Sequence, residues 1–277
     1  VEAAEAILKV ANSRMAGAIR LVSIERGFDP KNFAFMPFGG GGALHAGAML
    51  AEVGIARAIV PRYPGVTSAM GCVIADMRQD FVQTINARVD MLDEAALAAF
   101  MTAHVDQGLA LLDAARTNFE ARDLSFELDM AYVGQTHTVS VPLTVKTEGG
   151  TVTAITRAEI ETAFDATYKA TYGRLLQNGV RRILNLRSAV TGKRPKFDLS
   201  TLAPPEGGRV EKIGMRKVHF GNTWYDTAIY DRLALPSGTK IVGPAILTQP
   251  DTTVLIEPHL QGRVDRFGNT IIEPQEE

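Results

Sequence analysis

The sequence predicts a mixed fold: an α/β layer, then an α+β region, then a β-rich C-terminal region. Helical and strand-like patterns alternate over residues 1–80, which is typical of an α/β layer. Residues 81–201 combine longer strand-like runs with two helical patterns. Beyond a Pro- and Gly-rich segment, residues 209–277 show short β-like runs separated by glycine-containing turns. These changes predict three regions, at 1–80, 81–201 and 209–277.

The first region alternates helices and strands. Apolar residues three or four apart predict a long amphipathic helix, with Gly27 as its C-terminal cap. The helical pattern is present from Val1 onwards, and no initiator Met or capping side chain precedes it. We therefore expect the chain to be part of a longer protein. The predicted elements are a helix over 1–26, a buried strand over 33–38, a helix over 43–53, a strand over 58–60 and a helix from 67 to about 78.

The other two regions are predicted from the same patterns. The second region has an Ala-rich helical pattern whose apolar stripe indicates a core helix. Its predicted elements are strands over 81–89, 126–132, 136–143 and 180–190 and helices over 93–122 and 157–172. A linker is predicted at 202–208, and the third region then turns at Phe220-Gly221-Asn222, Pro236-Ser237-Gly238 and Phe267-Gly268-Asn269.

Composition excludes several classes of protein. With 277 residues, 46% hydrophobic and 22% charged, the chain is not disordered, collagenous or a coiled coil. Its 29 Lys and Arg against 31 Asp and Glu leave a net charge of -2, which favours neither nucleic acid nor anionic lipid. Cys72 is the one cysteine, so it forms no internal disulfide, and we expect it to be buried. No apolar run reaches the roughly 20 residues of a membrane span, and we expect a cytoplasmic protein.

The four consecutive glycines Gly39–Gly42 are the most informative local feature. They lie between a predicted strand and a predicted helix, where bare backbone and a helix N-terminus favour an anionic or nucleotide ligand. The pattern is no dinucleotide fingerprint, because His45 takes the place of the last glycine. It is no Walker A loop, because Ala48 and Met49 replace the Lys and the Ser or Thr. A tight strand-to-helix crossing without ligand is the alternative.

His45 and Asp76 are the candidate catalytic side chains. His45 is predicted in the first turn of the helix after the glycines, where a neutral imidazole could contact a phosphate or a substrate carbonyl. A packed histidine bonded to a backbone carbonyl is the alternative. Asp76 and Asp80 flank Arg78 near a predicted helix end and could contact Mg²⁺-bound water or a ribose. Solvated ion pairs or caps would have the same pattern.

Other catalytic classes have little support in the sequence. No G-x-S-x-G elbow is present, and the histidines lack the H-x-x-x-H spacing of a zinc site. One polar turn between two predicted strands, Tyr132-Val-Gly-Gln135 followed by His137, could line a site or form a bulge.

A series of motifs resembles the A-type component of the hydantoinase/5-oxoprolinase family. In the amino-terminal part these are Val10-Ala-Asn-Ser-Arg-Met15, Ala18-Ile-Arg20, Glu25-Arg-Gly27, Phe38-Gly-Gly-Gly-Gly-Ala-Leu-His-Ala46, Tyr63-Pro-Gly-Val-Thr-Ser-Ala-Met-Gly71 and Ala75-Asp-Met-Arg78. Further along they are Asp129-Met-Ala-Tyr-Val-Gly-Gln135, Tyr172-Gly173, Asn185-Leu-Arg187, Gly243-Pro-Ala-Ile246, Gln249-Pro-Asp-Thr-Thr253 and Val264-Asp-Arg-Phe-Gly-Asn269. The family loop usually reads Phe-Gly-Gly-Ala-Gly-Pro before its His, whereas this chain has Gly41 and Ala43.

The resemblance implies a lobe of an actin-, Hsp70- and sugar-kinase-like ATPase, in which two lobes close on ATP. Gly39, Gly40, Gly41 and Gly42 then become nucleotide contacts, with His45 as a further candidate. The amino-terminal half of the family, with its Asp-Gly-Gly-Thr phosphate loop, is not in this sequence. We therefore expect the 277-residue chain to have little or no activity by itself.

The implied reaction is ATP-dependent opening of a cyclic amide or imide, such as hydantoin or 5-oxoproline. Phosphorylation of the carbonyl oxygen, with Mg²⁺, makes it a better leaving group, and a B-type component completes hydrolysis in an oligomeric enzyme. Two alternatives stay open. The parent could be a subunit of an ATP-dependent acetone- or acetophenone-type carboxylase, or the chain could be a non-catalytic module that docks a B-type partner.

Overall fold

A computed structural model describes residues 1–148, 151–152, 155–204 and 209–275. The chain forms two compact units. Unit 1 comprises Val1–Val73 and Phe197–Glu277, and unit 2 comprises Ile74–Lys196. Most of the predicted linker, residues 205–208, lies outside the described residues, as do residues 276–277.

Helices and strands are distributed over both units. The helices are α1 (Glu2–Val22), α2 (Ala46–Val53), α3 (Thr67–Ile74), α4 (Glu94–Ala114) and α5 (Arg157–Tyr172). The strands are β1 (Ala34–Phe35), β2 (Arg57–Val60), β3 (Met77–Arg88), β4 (Ala121–Tyr132), β5 (Val139–Leu143), β6 (Thr147–Glu148), β7 (Thr151–Val152), β8 (Arg181–Lys193), β9 (Lys212–Phe220), β10 (Thr223–Asp231), β11 (Lys240–Val242), β12 (Ala245–Gln249), β13 (Thr252–Ile256), β14 (Leu260–Val264) and β15 (Thr270–Pro274).

Unit 1 joins the two ends of the chain in one sheet. The strand order is β1-β2-β15-β14-β11, and β15 runs antiparallel to β2 with Thr270 opposite Val60. Ala58 and Val60 of β2 are fully buried in one cluster with residues of α2, β14 and β15. The sequence divides the chain into three regions, whereas in the structure residues from the first and third share this unit, because β2 pairs with a strand more than 200 positions away.

A second sheet of unit 1 is built from the carboxyl-terminal residues. Its order is β13-β12-β10-β9, with β10 parallel to β12 and antiparallel to β9. The β9–β10 hairpin turns at Gly221 and Asn222, with φ angles of 51° and 69°. Two consecutive left-handed residues are what a tight hairpin turn requires, and Gly and Asn adopt them most readily. The β-rich character and this turn are as predicted.

Unit 2 contains a four-stranded antiparallel sheet, β3-β8-β4-β5, and the two-stranded sheet β6-β7. The helices α4 and α5 share one core cluster with the four-stranded sheet. Its core joins Leu97, Met101 and Val105 of α4 to Phe164 of α5 and Leu186 of β8. α5 confirms the predicted helix over 157–172. Its Thr156 and Glu159 form a reciprocal capping box, and Gly173 ends it in the left-handed conformation.

Several predicted boundaries in the first and second regions are wrong. α4 ends at Ala114, not near 122, because Ala121 already pairs with Lys193 as β4 begins. Likewise, α3 ends at Ile74, and Arg78 and Asp80 belong to β3, where they pair with β8. The pairing of long strands overrides the helical preference of the residues next to them.

Two burial predictions for the first region are also wrong. β1 has only two residues, and Phe33, Met36 and Phe38 around it are each 51% exposed, where a buried strand was expected. Cys72 is exposed, because no residue of α3 is buried. Apolar character alone does not decide whether a segment is covered by another element.

α4 has the length and mean hydropathy of a membrane-spanning helix, which alone is weak evidence for a membrane. Its Leu97, Met101, Val105 and Leu112 are at most 1% exposed. This stripe, at helical spacing, belongs to the interior of unit 2, as the apolar pattern predicts for a core helix. Core helices meet the same length and hydropathy criteria.

Two of the family-like motifs meet on the sheet of unit 2, at Asp129. Arg187 Nε donates to the Asp129 carboxylate at 2.9 Å, and Asn185 Nδ2 donates to Oδ2 at 2.9 Å. Burial raises the pKa of Asp129, but the hydrogen bonds from Arg187 and Asn185 outweigh it, and the net pKa lies below the ordinary 3.8. The folded state therefore favours the carboxylate form.

This linkage predicts an acid-sensitive contribution from Asp129. A lowered folded-state pKa stabilises the protein above the unfolded value of 3.8, and the contribution is lost as pH falls through the folded pKa. Asp129→Asn should cost about 1–3 kcal/mol at pH 7 and make unit 2 less sensitive to acid between pH 5 and 2, as measured by urea unfolding. The control Asp80→Asn removes a pair with Arg78 that is about 60% exposed and should cost less than about 0.5 kcal/mol. Equal acid sensitivity in wild type and Asp129→Asn would contradict the linkage.

Candidate functional site

The glycine loop, Gly39–Gly42, connects β1 to a short 3-10 turn, Gly42–His45, and then to α2. Gly39 has φ 81°, and its N–H donates to the Pro64 carbonyl at 2.7 Å. Gly40 and Gly41 are exposed, and within the described part of the chain their N–H groups donate to no protein acceptor. Two consecutive backbone donors are therefore free for an acceptor from outside, which suits an anion.

The loop is held by residues from the far end of the chain. Thr252 Oγ1 donates to the carbonyls of Gly40 and Gly39 at 3.0 and 3.4 Å. Asp251 Oδ2 accepts the N–H of Gly65 at 2.9 Å. A Cβ added to Gly65 would lie 2.4 Å from Asp251 Oδ2, so only glycine allows this close approach. Three motifs that are distant in sequence thus meet around the glycine loop.

The guanidinium of Arg232 is buried against the residues that precede the Tyr63–Gly65 turn. Its donors reach the carbonyls of Val60, Pro61 and Arg62 at 2.9, 2.6 and 2.8 Å. Further bonds go to Thr270 Oγ1 and to Gln249 Oε1 at the start of the Gln-Pro-Asp-Thr-Thr motif. Burial, together with the charge of Arg62, lowers the pKa of Arg232 to about 10. Arg232 therefore ties the segment that leads into the Tyr63–Gly65 turn to the strand end before Asp251.

His45 ends the 3-10 turn and is the N-cap of α2. It therefore lies one residue before the helix, whereas the sequence predicts it in the first helical turn. Its Nδ1 lies 2.7 Å from Oδ1 of Asn12 on α1. Because an amide oxygen only accepts, Nδ1 carries the hydrogen in this pair, and Nε2 takes no part in it. The partner is thus a side-chain amide and not the backbone carbonyl of the alternative interpretation, and Nε2 is available to a ligand.

Asp76 lies in unit 2, immediately before β3, whereas the glycine loop and His45 lie in unit 1. It accepts the N–H of Arg194 at 2.9 Å and pairs with Lys193 Nζ at 3.3 Å. The hydrogen bond from Arg194 and the pairing with Lys193 lower the pKa of Asp76. These contacts are those of an ion pair and a backbone cap.

The described residues contain no group of three or more His, Cys, Asp or Glu that could hold a metal ion. The structure adds Asp251, Thr252 and Asn12 to the residues around the glycine loop, none of which was a candidate from spacing. Their signal in the sequence is their place in the Gln-Pro-Asp-Thr-Thr and Val-Ala-Asn-Ser-Arg-Met motifs. Nothing local indicates that these motifs meet.

Comparison with protein families gives two matches. The hydantoinase/oxoprolinase model matches residues 1–81, and the hydantoinase/oxoprolinase C-terminal domain model matches residues 96–273.

Three similar curated proteins are longer than this chain. An uncharacterised protein of Methanocaldococcus jannaschii is 29% identical over 98% of the chain and 38% of its own length. Caprolactamase subunit alpha of Pseudomonas jessenii is 26% identical over 92% of the chain and 37% of its length. 5-Oxoprolinase 1 of Arabidopsis thaliana is 29% identical over 98% of the chain and 21% of its length. The chain therefore spans between about a fifth and two fifths of these relatives.

Two solved structures share the fold. A nucleotide-free acetone carboxylase, from a study of ATP-dependent acetone carboxylation, gives a TM-score of 0.72 at 22% identity, over 99% of this chain and 40% of that one. The ATP-dependent caprolactamase of Pseudomonas jessenii gives 0.71 at 24% identity, again over 99% and 40%. At these identities the likeness shows the mixed α/β fold alone.

Proposed function

The chain belongs to the hydantoinase/oxoprolinase family, and from this premise we propose that it is the carboxyl-terminal part of an ATP-dependent enzyme that opens a cyclic amide or imide. Hydantoin and 5-oxoproline are the proposed substrate types. Relatives named caprolactamase and 5-oxoprolinase support an amide ring as substrate. The observation that carries the proposal is the glycine loop with two free N–H donors, held in place by Thr252.

The residues of the loop fit a nucleotide phosphate. The N–H groups of Gly40 and Gly41 are unengaged among the described residues, and the exposed glycines let a phosphate oxygen approach the backbone closely. Bound ATP would supply the phosphoryl group that makes a carbonyl oxygen a better leaving group, with Mg²⁺ proposed to balance the phosphate charge. The chain's own part is to bind and orient: Gly40 and Gly41 donate, and Thr252 and Asp251 keep the loop and the turn at Gly65 in place.

His45, next to this loop, is a proposed catalytic side chain. Asn12 holds the hydrogen on Nδ1, so Nε2 can accept a proton or a hydrogen bond. Asp76 is the other proposed catalytic side chain, and its carboxylate is engaged by Lys193 and the Arg194 N–H.

A carboxylase is the second candidate. The acetone carboxylase beta subunit of Xanthobacter autotrophicus is 27% identical over 92% of the chain, and the acetone carboxylase structure supports the same fold. Names such as subunit alpha and beta among the relatives support assembly with other chains, and we propose a B-type component as the partner. A purely assembling role for the chain is the third possibility.

A turnover assay separates these candidates. We expect the longer protein, with its partner, to open hydantoin or 5-oxoproline with stoichiometric ADP release, and the 277-residue chain alone to show neither. Ring product and ADP are measured with and without ATP, and in parallel with acetone and bicarbonate. Ring opening by the chain alone would contradict the proposal. ADP release that requires bicarbonate and a ketone would support the carboxylase, and partner binding without any ATP use would support the assembling role.

A further inference from the structure

Unit 2 contains a cavity between the turn after β4 and the end of α5, with a volume of about 490 Å³. Its polar and aromatic lining includes Gln135, His137, Tyr168, Tyr172 and Arg174. Its size lies in the range of small-molecule sites. All of these residues belong to unit 2, and the glycine loop belongs to unit 1, so the proposed nucleotide contact leaves the cavity without a role.

Tyr168, which lines the cavity, has a hydroxyl hydrogen that is free to be donated. Gln135 Oε1 accepts the backbone N–H of Tyr132 at 3.3 Å, which turns the amide nitrogen towards Tyr168. Gln135 Nε2 donates to the Tyr168 hydroxyl oxygen at 2.7 Å. Because that oxygen acts as an acceptor in this bond, its own hydrogen remains to be donated, and no described residue accepts it. Tyr168 is only 5% exposed, so this donor is held firmly by the core around it.

The wall of the cavity is positive. Arg174 is exposed, and within the described ranges it forms no ion pair or hydrogen bond with another residue. None of the described residues that line the cavity is acidic. The carboxylates of Asp165 and Glu161 on α5 are paired with Arg181 at 2.7 and 3.3 Å. Arg174 therefore has no counter-charge here.

A flat apolar surface completes the cavity. The Tyr172 ring is half exposed, and it packs against the Tyr168 ring with centroids 4.6 Å apart. This contact limits the rotation of Tyr172 and leaves part of the ring open to a ligand. Aromatic surfaces of this kind favour a planar group in van der Waals contact.

We propose that this cavity binds a small monocarboxylate that carries a flat ring. The carboxylate accepts from the Arg174 guanidinium and from the Tyr168 hydroxyl, and the ring lies against Tyr172. One guanidinium balances one negative charge, and the Tyr168 and Gln135 donors are neutral. A phosphate dianion would leave charge uncompensated, so a carboxylate fits better than a phosphate. This proposal stands independently of the nucleotide contact in unit 1.

Titration calorimetry of the 277-residue chain with benzoate tests the site. We expect a dissociation constant of about 1 mM, as a ligand of this size allows, and at least about tenfold weaker binding of the isosteric but neutral benzamide. Arg174→Gln should weaken benzoate binding about tenfold or more. The matched control Arg116→Gln also removes one positive charge, but near the opposite end of β4. It should leave the affinity for benzoate within about twofold. Inorganic phosphate should not compete.

Tyr168→Phe separates the hydroxyl from the charge. Affinity should fall about three- to tenfold, as expected for one lost hydrogen bond, with circular dichroism confirming that the buried ring still packs. Because Arg174 is exposed, the Arg174→Gln variant keeps the test decisive even if Tyr168→Phe does not fold. Absence of benzoate binding, equal binding of benzamide, unchanged affinity in Arg174→Gln, or stronger binding of phosphate would each overturn the proposal.

Discussion

Replacing Arg232 by methionine is expected to destabilise unit 1 by about 3–5 kcal/mol. Methionine fills a similar volume, so the loss comes from hydrogen bonds and not from a cavity. Arg232 is 3% exposed and donates to three consecutive carbonyls, those of Val60, Pro61 and Arg62. Without the guanidinium all three buried carbonyls lose this donor, and the Arg62 carbonyl keeps only the 3.4 Å bond from Gln249 Nε2. Each buried acceptor left unpaired costs about 1–3 kcal/mol. The recovered desolvation of the charge offsets part of this cost.

Urea unfolding measures the effect, and Trp224, the one tryptophan of the sequence, reports on unit 1. Arg209→Met is the matched control, because the Arg209 side chain is 85% exposed and, among the described residues, forms an ion pair with Glu211 alone, at 3.8 Å. The control should change stability by less than about 0.5 kcal/mol. A loss below about 1 kcal/mol in Arg232→Met would show that water replaces the guanidinium and that the network is not structural.

A valine at Gly41 is expected to reduce ATP binding by the longer protein about a hundredfold or more. The loop offers two N–H donors to the phosphate, and hydrogen bonds to a charged acceptor contribute about 1.5–3 kcal/mol each. A branched side chain at Gly41 would occupy the space in front of these donors. The fold should tolerate it, because Gly41 has φ -105° and a Cβ there meets nothing within 4 Å.

Two further variants make this test specific. In Gly40→Val, weaker ATP binding could come from disturbed packing, because a Cβ at Gly40 lies 3.3 Å from the Asp251 carbonyl. Gly17→Val introduces the same side chain into open space on α1 and should leave affinity unchanged. Equilibrium binding of a fluorescent ATP analogue, with thermal unfolding as a check on the fold, measures both. Wild-type affinity in Gly41→Val would reject the glycine loop as a nucleotide contact.

The elements that sequence predicted well are those with local causes. α5 has its helical spacing, its capping box at Thr156 and its C-terminal glycine within 18 consecutive residues. The tight turn at Gly221-Asn222 needs only its own backbone angles. The family, too, was recognisable from motifs in order along the chain, and the family models match the same chain over 1–81 and 96–273.

The elements that sequence missed depend on distant partners. The run around β1 is apolar, yet Phe33 and Phe38 are half exposed in this unit. α4 ends at Ala114 because the residues from Ala121 onwards form strand β4, which pairs with β8. Periodicity describes which face of a segment is apolar, but it does not say which other segment covers that face.

The same distinction holds for the candidate site. The glycine run, its place before a helix and the family could be read from the sequence, because these are properties of neighbouring residues. Folding in three dimensions brings Thr252 to the loop and Asp251 to the turn at Gly65, and it buries Arg232. It also places Gln135 so that the hydroxyl hydrogen of Tyr168 on α5 stays free to donate. Each of these contacts joins residues that the chain brings together only when it folds, and hydrogen bonds between such residues leave no periodic pattern in the sequence.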